Sequence, residues 1–135
     1  MAADDVARLG GEKYVRLTTY RQNGHAVSNP MWVADLDGRL VMTTDADSAQ
    51  VRRLRNDDRV ELVECDMRGR VDSGARQVAG TAELLQGAAM ADADAAVSRK
   101  YGLQAGLTEA WNWMQRTVMR RRSGRVGISV TPNEP

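Results

Sequence analysis

The sequence predicts an α+β fold with a predominantly antiparallel sheet, on three observations. Short apolar runs with a period of two recur along the chain, and Asn-Gly and Asp-Gly dipeptides stand between the first of them. One short helical stretch interrupts the series of strands. A helical region then precedes the final strand, and a strand placed there usually returns to pair with an earlier one. Closure into a small barrel is therefore expected, since it also removes two open sheet edges.

The elements follow in order. Residues 14–20 alternate, with Val15, Leu17 and Thr19 on one side and Tyr14, Arg16, Thr18 and Tyr20 on the other, the pattern of a half-buried strand. Asn23 and Gly24 turn the chain into a second strand, which carries Pro30. Proline cannot donate to a ladder, so a bulge or a sheet edge is expected there. Asp37 and Gly38 turn it again into residues 39–44. Asp45 to Ser48 is turn and N-cap material, and SAQVRRLRN makes about two helical turns with Val51 and Leu54 inward. DRVELVECDMRG is a fourth strand, with Val60 and Leu62 opposite Val63 and Cys65. RQVAGTAELL is a fifth, with Gly80 at a bulge or a close approach. In the Ala-rich stretch Ala89, Ala93, Ala96, Val97 and Tyr101 share a helical spacing, ended by Gly102. Leu107, Trp111, Met114 and Val118 mark a second amphipathic helix. RVGISV closes the series as a sixth strand, with Val126, Ile128 and Val130 on one side.

The chain has 135 residues, which predicts one domain over 1–135. A chain of that size buries roughly two thirds of its unfolded surface and needs no staples. No run approaches the roughly 20 apolar residues of a membrane span, and residues 1–10 do not resemble a signal peptide. A soluble, cytoplasmic protein is expected. With 19 basic and 18 acidic residues the net charge is +1, which gives no general attraction to nucleic acid or to anionic membranes. One His and one Cys exclude clustered metal ligands of the imidazole or thiolate kind. No catalytic nucleophile or general acid stands out. If the chain is an enzyme, a bound cofactor supplies the reactivity.

Four stretches are candidates for function. In TTDADSAQVRRLR a helix N-terminus offers free N–H groups and the positive end of the dipole, with Ser48 at the cap. Two readings stand for it: a phosphate cradle, or a solvated helix whose Asp45 and Asp47 oppose an anion. In SNPMWVAD the proline frees neighbouring backbone groups to bond a flat heterocycle, while Met31 and Val33 also suit a core. Trp111 and Trp113 lie two apart on a helix and cannot share a face, so one of them points to a dimer contact, a ligand or solvent. The basic RRRSGR is a solvated helix end or a grip for an acidic cofactor tail. His25 is expected exposed beside its turn, and Cys65 buried as a small hydrophobe.

The order of these pieces carries a resemblance. The NG turn, VSNPMW, DGRL, TTDADSAQVRRLR, RVEL, CDMRG, GTAE and RKYGL together resemble the flavin and deazaflavin oxidoreductases with the pyridoxamine phosphate oxidase split-barrel fold. The most similar subgroup is the actinobacterial branch that uses the deazaflavin coenzyme F-420. The similarity runs from Tyr14 to Val130. It implies a six-stranded split barrel with flanking helices, a homodimer, and two cofactor sites in grooves at the dimer interface. It further implies that Ser28, Asn29, Pro30, Met31, Trp32 and Val33 lie along the ring system, largely through backbone groups. Thr43, Thr44 and Ser48 would contact the cofactor, and the turn after Ser48 would hold its phosphate. The family usually has Lys or Arg where this chain has Gln50, which donates hydrogen bonds without charge. Arg53, one turn further on the same face, is expected to compensate, with Arg52, turned away from Gln50 around the helix, as the alternative. The implied activity is hydride transfer from reduced F-420, or from FMN in a related version, to a small conjugated acceptor. A non-catalytic carrier of the deazaflavin or of a tetrapyrrole is the rival reading. The lone His makes a poor axial ligand and argues against haem. The shape of residues 105–113 and the partner subunit would select the acceptor.

Overall fold

The structure is a computed structural model that describes residues 2–105 and 125–133. The expected second amphipathic helix, Trp111, Trp113, most of RRRSGR and nearly all of the acceptor-selecting stretch lie outside the described residues.

The elements run α1 (Ala2–Gly10), β1 (Val15–Tyr20), β2 (Ala26–Met31), β3 (Ala34–Leu36), β4 (Arg39–Asp45), α2 (Ala49–Asn56), β5 (Arg59–Glu64), β6 (Val78–Leu85), α3 (Gly87–Ala105) and β7 (Arg125–Pro132). All seven strands join one antiparallel sheet, in the order β2-β1-β5-β6-β7-β4-β3. The final strand does return, between β6 and β4. The six expected strands become seven because the second run is divided: its first half pairs with β1 and its second half with β4. Pro30 sits on an edge strand, as expected, but regular pairing continues through it opposite Arg16. The break comes two residues later, where Trp32 and Val33 carry the chain from one edge of the sheet to the other.

That step closes the barrel. Two residues span less than about 11 Å even with both flanking bonds extended, so the two sheet edges must lie close together at this point. Inward-facing Val15, Leu17, Val33, Leu40, Met42, Val60, Leu62, Ile128 and Val130 fill the interior. Outward-facing Val41 and Leu85 pack instead with Ala93, Val97 and Tyr101 of α3. On α3, Met90 rather than the exposed Ala89 begins the buried row, and the helix runs past Gly102 to Ala105. Gly102 is compatible with helix when neighbouring turns pack well; its cost is only about 1 kcal/mol against Ala.

Local chemistry explains the connections. Asp37 and Gly38 both have positive φ, at 52° and 79°, the requirement of a tight mirror-image turn. At the first hairpin only Gly24 does, at 87°, while the Arg21 N–H donates to the His25 carbonyl. Gly80 is a close approach: a Cβ there would lie 2.9 Å from the Thr131 carbonyl oxygen. Helix α1 was not expected from the sequence. Its Val6 and Leu9 enter the barrel core at one end, and Leu54 of α2 enters at the other. No helix among the described residues is long and apolar enough to cross a membrane.

Candidate functional site

The barrel is not closed along its whole length. β3 pairs with β4 only from Arg39 to Val41, so among the described residues no strand covers the flank of β4 from Met42 to Asp45. The flank of β2 turned away from β1 is likewise uncovered. These two stretches of backbone, both leading from the same crossover, form the margins of a slot between the sheet's edges. Its narrow end is the crossover at Trp32 and Val33, and its wide end opens toward α2. Strand flanks of this kind offer alternating N–H and C=O groups that need partners.

The narrow end is firmly held by two residues of α3. The Val33 N–H donates to the Tyr101 hydroxyl at 2.9 Å, and that hydroxyl donates to the Lys13 carbonyl at 2.6 Å. Lys100 Nζ donates to the Val33 and Glu12 carbonyls, at 2.6 and 2.5 Å. Burial holds the Lys100 ammonium below the ordinary lysine range, opposed by Asp35 and Glu12. Trp32 stacks on the Tyr101 ring with centroids 4.3 Å apart and planes 9° from parallel. Sequence reading missed Lys100 and Tyr101 as site neighbours, although RKYGL belonged to the resemblance.

The wide end is built by α2. Ser48 has extended backbone and its Oγ accepts from the Val51 N–H at 3.2 Å, an N-cap. Gln50 is only 6% exposed, and its Nε2 approaches Met31 Sδ at 3.6 Å across the interior. Two residues expected at the site, one from β2 and one from α2, are thus brought together. Arg53 donates through Nε to Thr19 Oγ1 at 2.6 Å, and Thr19 is fully buried. Burial, then Arg21, then Arg52 hold the Arg53 guanidinium below its ordinary range. Arg52 donates to the backbone carbonyl of Asp47 at 3.0 Å. Among the described residues no carboxylate is paired with Arg21, Arg52 or Arg53. Neither Thr19 nor Arg21 stood out in the sequence; only the fold brings β1 beside α2.

The remaining expected residues divide by strand parity. Asn29 and Met31 turn inward with Val15 and Leu17, their partners on β1. Ser28 and Pro30 are exposed on the outer face, where Ser28 Oγ shares a 2.7 Å bond with Thr18 Oγ1. Val33 keeps its side chain in the core, and its backbone groups are engaged by Tyr101 and Lys100. Thr44 and Thr43 are half-buried at the free flank of β4, and Thr43 Oγ1 accepts from Arg125 Nη2. His25 is exposed, as expected. Cys65 is half-buried rather than buried, because it lies just past the end of β5; burial nevertheless pushes its thiol up. Among the described residues no group of acidic, His and Cys side chains could hold a metal ion.

The fold and this slot define a class: antiparallel split barrels, whose sheet edges meet at one end and part at the other. The sequence model of the pyridoxamine 5'-phosphate oxidase family matches residues 3–134, and the chain belongs to that family. No curated protein matches it significantly in sequence. Solved structures share the fold. A conserved hypothetical protein from Mycobacterium tuberculosis superposes with a TM-score of 0.72 at 21% identity, over 99% of this chain and 81% of that one. An F420 reductase gives 0.65 at 21%, over 94% and 92%. A heme storage protein from Vibrio cholerae gives 0.67 at 10%, over 100% and 93%.

Proposed function

We propose that the chain is a deazaflavin-dependent reductase that binds coenzyme F-420 in the slot and passes a hydride to a small conjugated acceptor. The observation that carries this reading is the group of arginines at the slot's wide end, which have no acidic partner among the described residues. Uncompensated guanidinium groups around a helix N-terminus suit a phosphodiester or phosphate. The parted flanks of β2 and β4 suit the polar rim of a flat heterocycle, which bonds backbone N–H and C=O groups without needing particular side chains. The residues present therefore fit a cofactor with a planar ring and an anionic linker.

Roles follow from position. Residues 26–31 of β2 orient the ring. The Ala49 and Gln50 N–H groups, left over by the Ser48 cap, point toward the linker, with Gln50, Arg53 and Arg21 around them. Trp32 and Tyr101 hold the narrow end rigid and exclude water from it. The bound cofactor supplies the hydride, and the proton comes from solvent. Two copies of the chain form the working unit in this reading, the second covering the open side of the slot, and the protein acts in the cytoplasm.

Fluorescence titration of the purified protein with oxidised F-420 and, separately, with FMN tests the reading. Saturation at micromolar F-420 and none with FMN is the expected result. Saturation by FMN alone moves the same site to the flavin version. Consumption of reduced cofactor with an enone or quinone distinguishes a reductase from a carrier. A folded protein that binds neither cofactor overturns both cofactor readings.

A further inference from the structure

The hydroxyls around the slot differ in what they have left to offer. Thr18 and Ser28 bond each other, the Ser48 oxygen caps α2, and Thr19 is sealed beneath Arg53. Thr43 is different. It is half-buried on the free flank of β4, and its oxygen receives a hydrogen bond from the Arg125 guanidinium. In the strand register Arg125 lies opposite Asp45, two residues from Thr43 on the same face, and its side chain reaches back to Thr43. Asp94 of α3 lies 3.6 Å from the same Nη2, and the arginine side chain is only 14% exposed. Helix and sheet therefore fix the guanidinium from both sides.

Among the described residues no other hydrogen bond engages Thr43, which leaves its own proton to donate. An oxygen that accepts from a cation is polarised, and its O–H becomes a better donor. The guanidinium also removes the option of turning that proton toward Arg125.

We propose that Arg125 is a positioning residue: it occupies the Thr43 oxygen and commits the Thr43 O–H to donate to a carbonyl or phosphoryl oxygen of the bound ligand. This rests on the proposed function, because the ligand is the cofactor in the slot. Arg125 touches no ligand itself, and its effect passes through Thr43.

A double-mutant cycle tests the coupling, read as the dissociation constant for oxidised F-420 with the melting temperature as a check on folding. Arg125→Gln and Thr43→Val are each expected to weaken binding about tenfold, and the double variant also about tenfold rather than a hundredfold. Arg125→Lys recovers part of the loss, which a purely structural role does not explain if all variants melt alike. If Arg125→Gln does not fold, Arg125→Lys replaces it in the cycle. Multiplying losses, or an Arg125→Gln protein that binds like the parent, overturns the inference and leaves the proposed function intact. A parent protein that binds neither F-420 nor FMN overturns the proposed function, and this inference with it.

Discussion

The two ends of the barrel are closed by helices that both bring arginines, and the arginines are treated differently. At the α1 end Arg8 pairs with Glu64 and lies 3.7 Å from Asp5, while Arg76 pairs with Asp5. Asp5 is only 8% exposed, so this is a matched network that ties α1 to β5 and to the segment before β6. At the α2 end Arg21, Arg52 and Arg53 gather with a hydroxyl and a backbone carbonyl as partners and, among the described residues, no paired acid. Like charges held together cost stability unless something offsets them. The first end is neutralised within the fold, and the second offers the positive charge that the proposed function assigns to an anionic ligand.

Reversing one charge at the second end gives the largest expected effect. Arg53→Glu should weaken F-420 binding by about a hundredfold, roughly 3 kcal/mol. Its melting temperature should hold or rise, because Arg21 and Arg52 gain a counter-charge. A fall in melting temperature with unchanged binding would make the α2 arginines structural and erase the contrast. Asp5→Ala should behave oppositely. Urea unfolding should show a loss of about 2 kcal/mol, since two arginines lose a buried acceptor, while cofactor affinity stays at the parent value.

A smaller effect sharpens the comparison at the slot's narrow end. Burial pushes the Tyr101 phenol up to about 12 from 10.0. Because the folded value is the raised one, its contribution is complete below about pH 10 and is lost as pH rises through about 12. Tyr101→Phe keeps the stack on Trp32 but loses the hydroxyl's bonds, for about 1 kcal/mol at neutral pH. Unfolding measured from pH 8 to 12 should show a flatter alkaline decline in the variant than in the parent.

Much of this architecture was legible from local patterns. The Asp37 and Gly38 turn, the strands with a period of two and the constrained Gly80 each leave a signature within a few residues. Helix α1 was not legible because two apolar residues at a spacing of three, Val6 and Leu9, barely form a pattern within nine residues. Nor was the division of the second strand, since nothing near Trp32 and Val33 states that their neighbours pair with different partners. At the site, Ser48 was readable as a cap from its neighbours. The pairing of Gln50 with Met31, of Arg53 with Thr19 and of Thr43 with Arg125 joins residues 19, 34 and 82 positions apart. Such contacts are set by sheet order, which no short window contains.

The crossover has one more consequence. Both margins of the slot hang from the same two residues, and those residues are gripped by Lys100 and Tyr101 near the end of α3. The arrangement works as a pair of tongs whose pivot is owned by a helix. Through two side chains bonded to the backbone of Val33, α3 thus sets where both jaws begin.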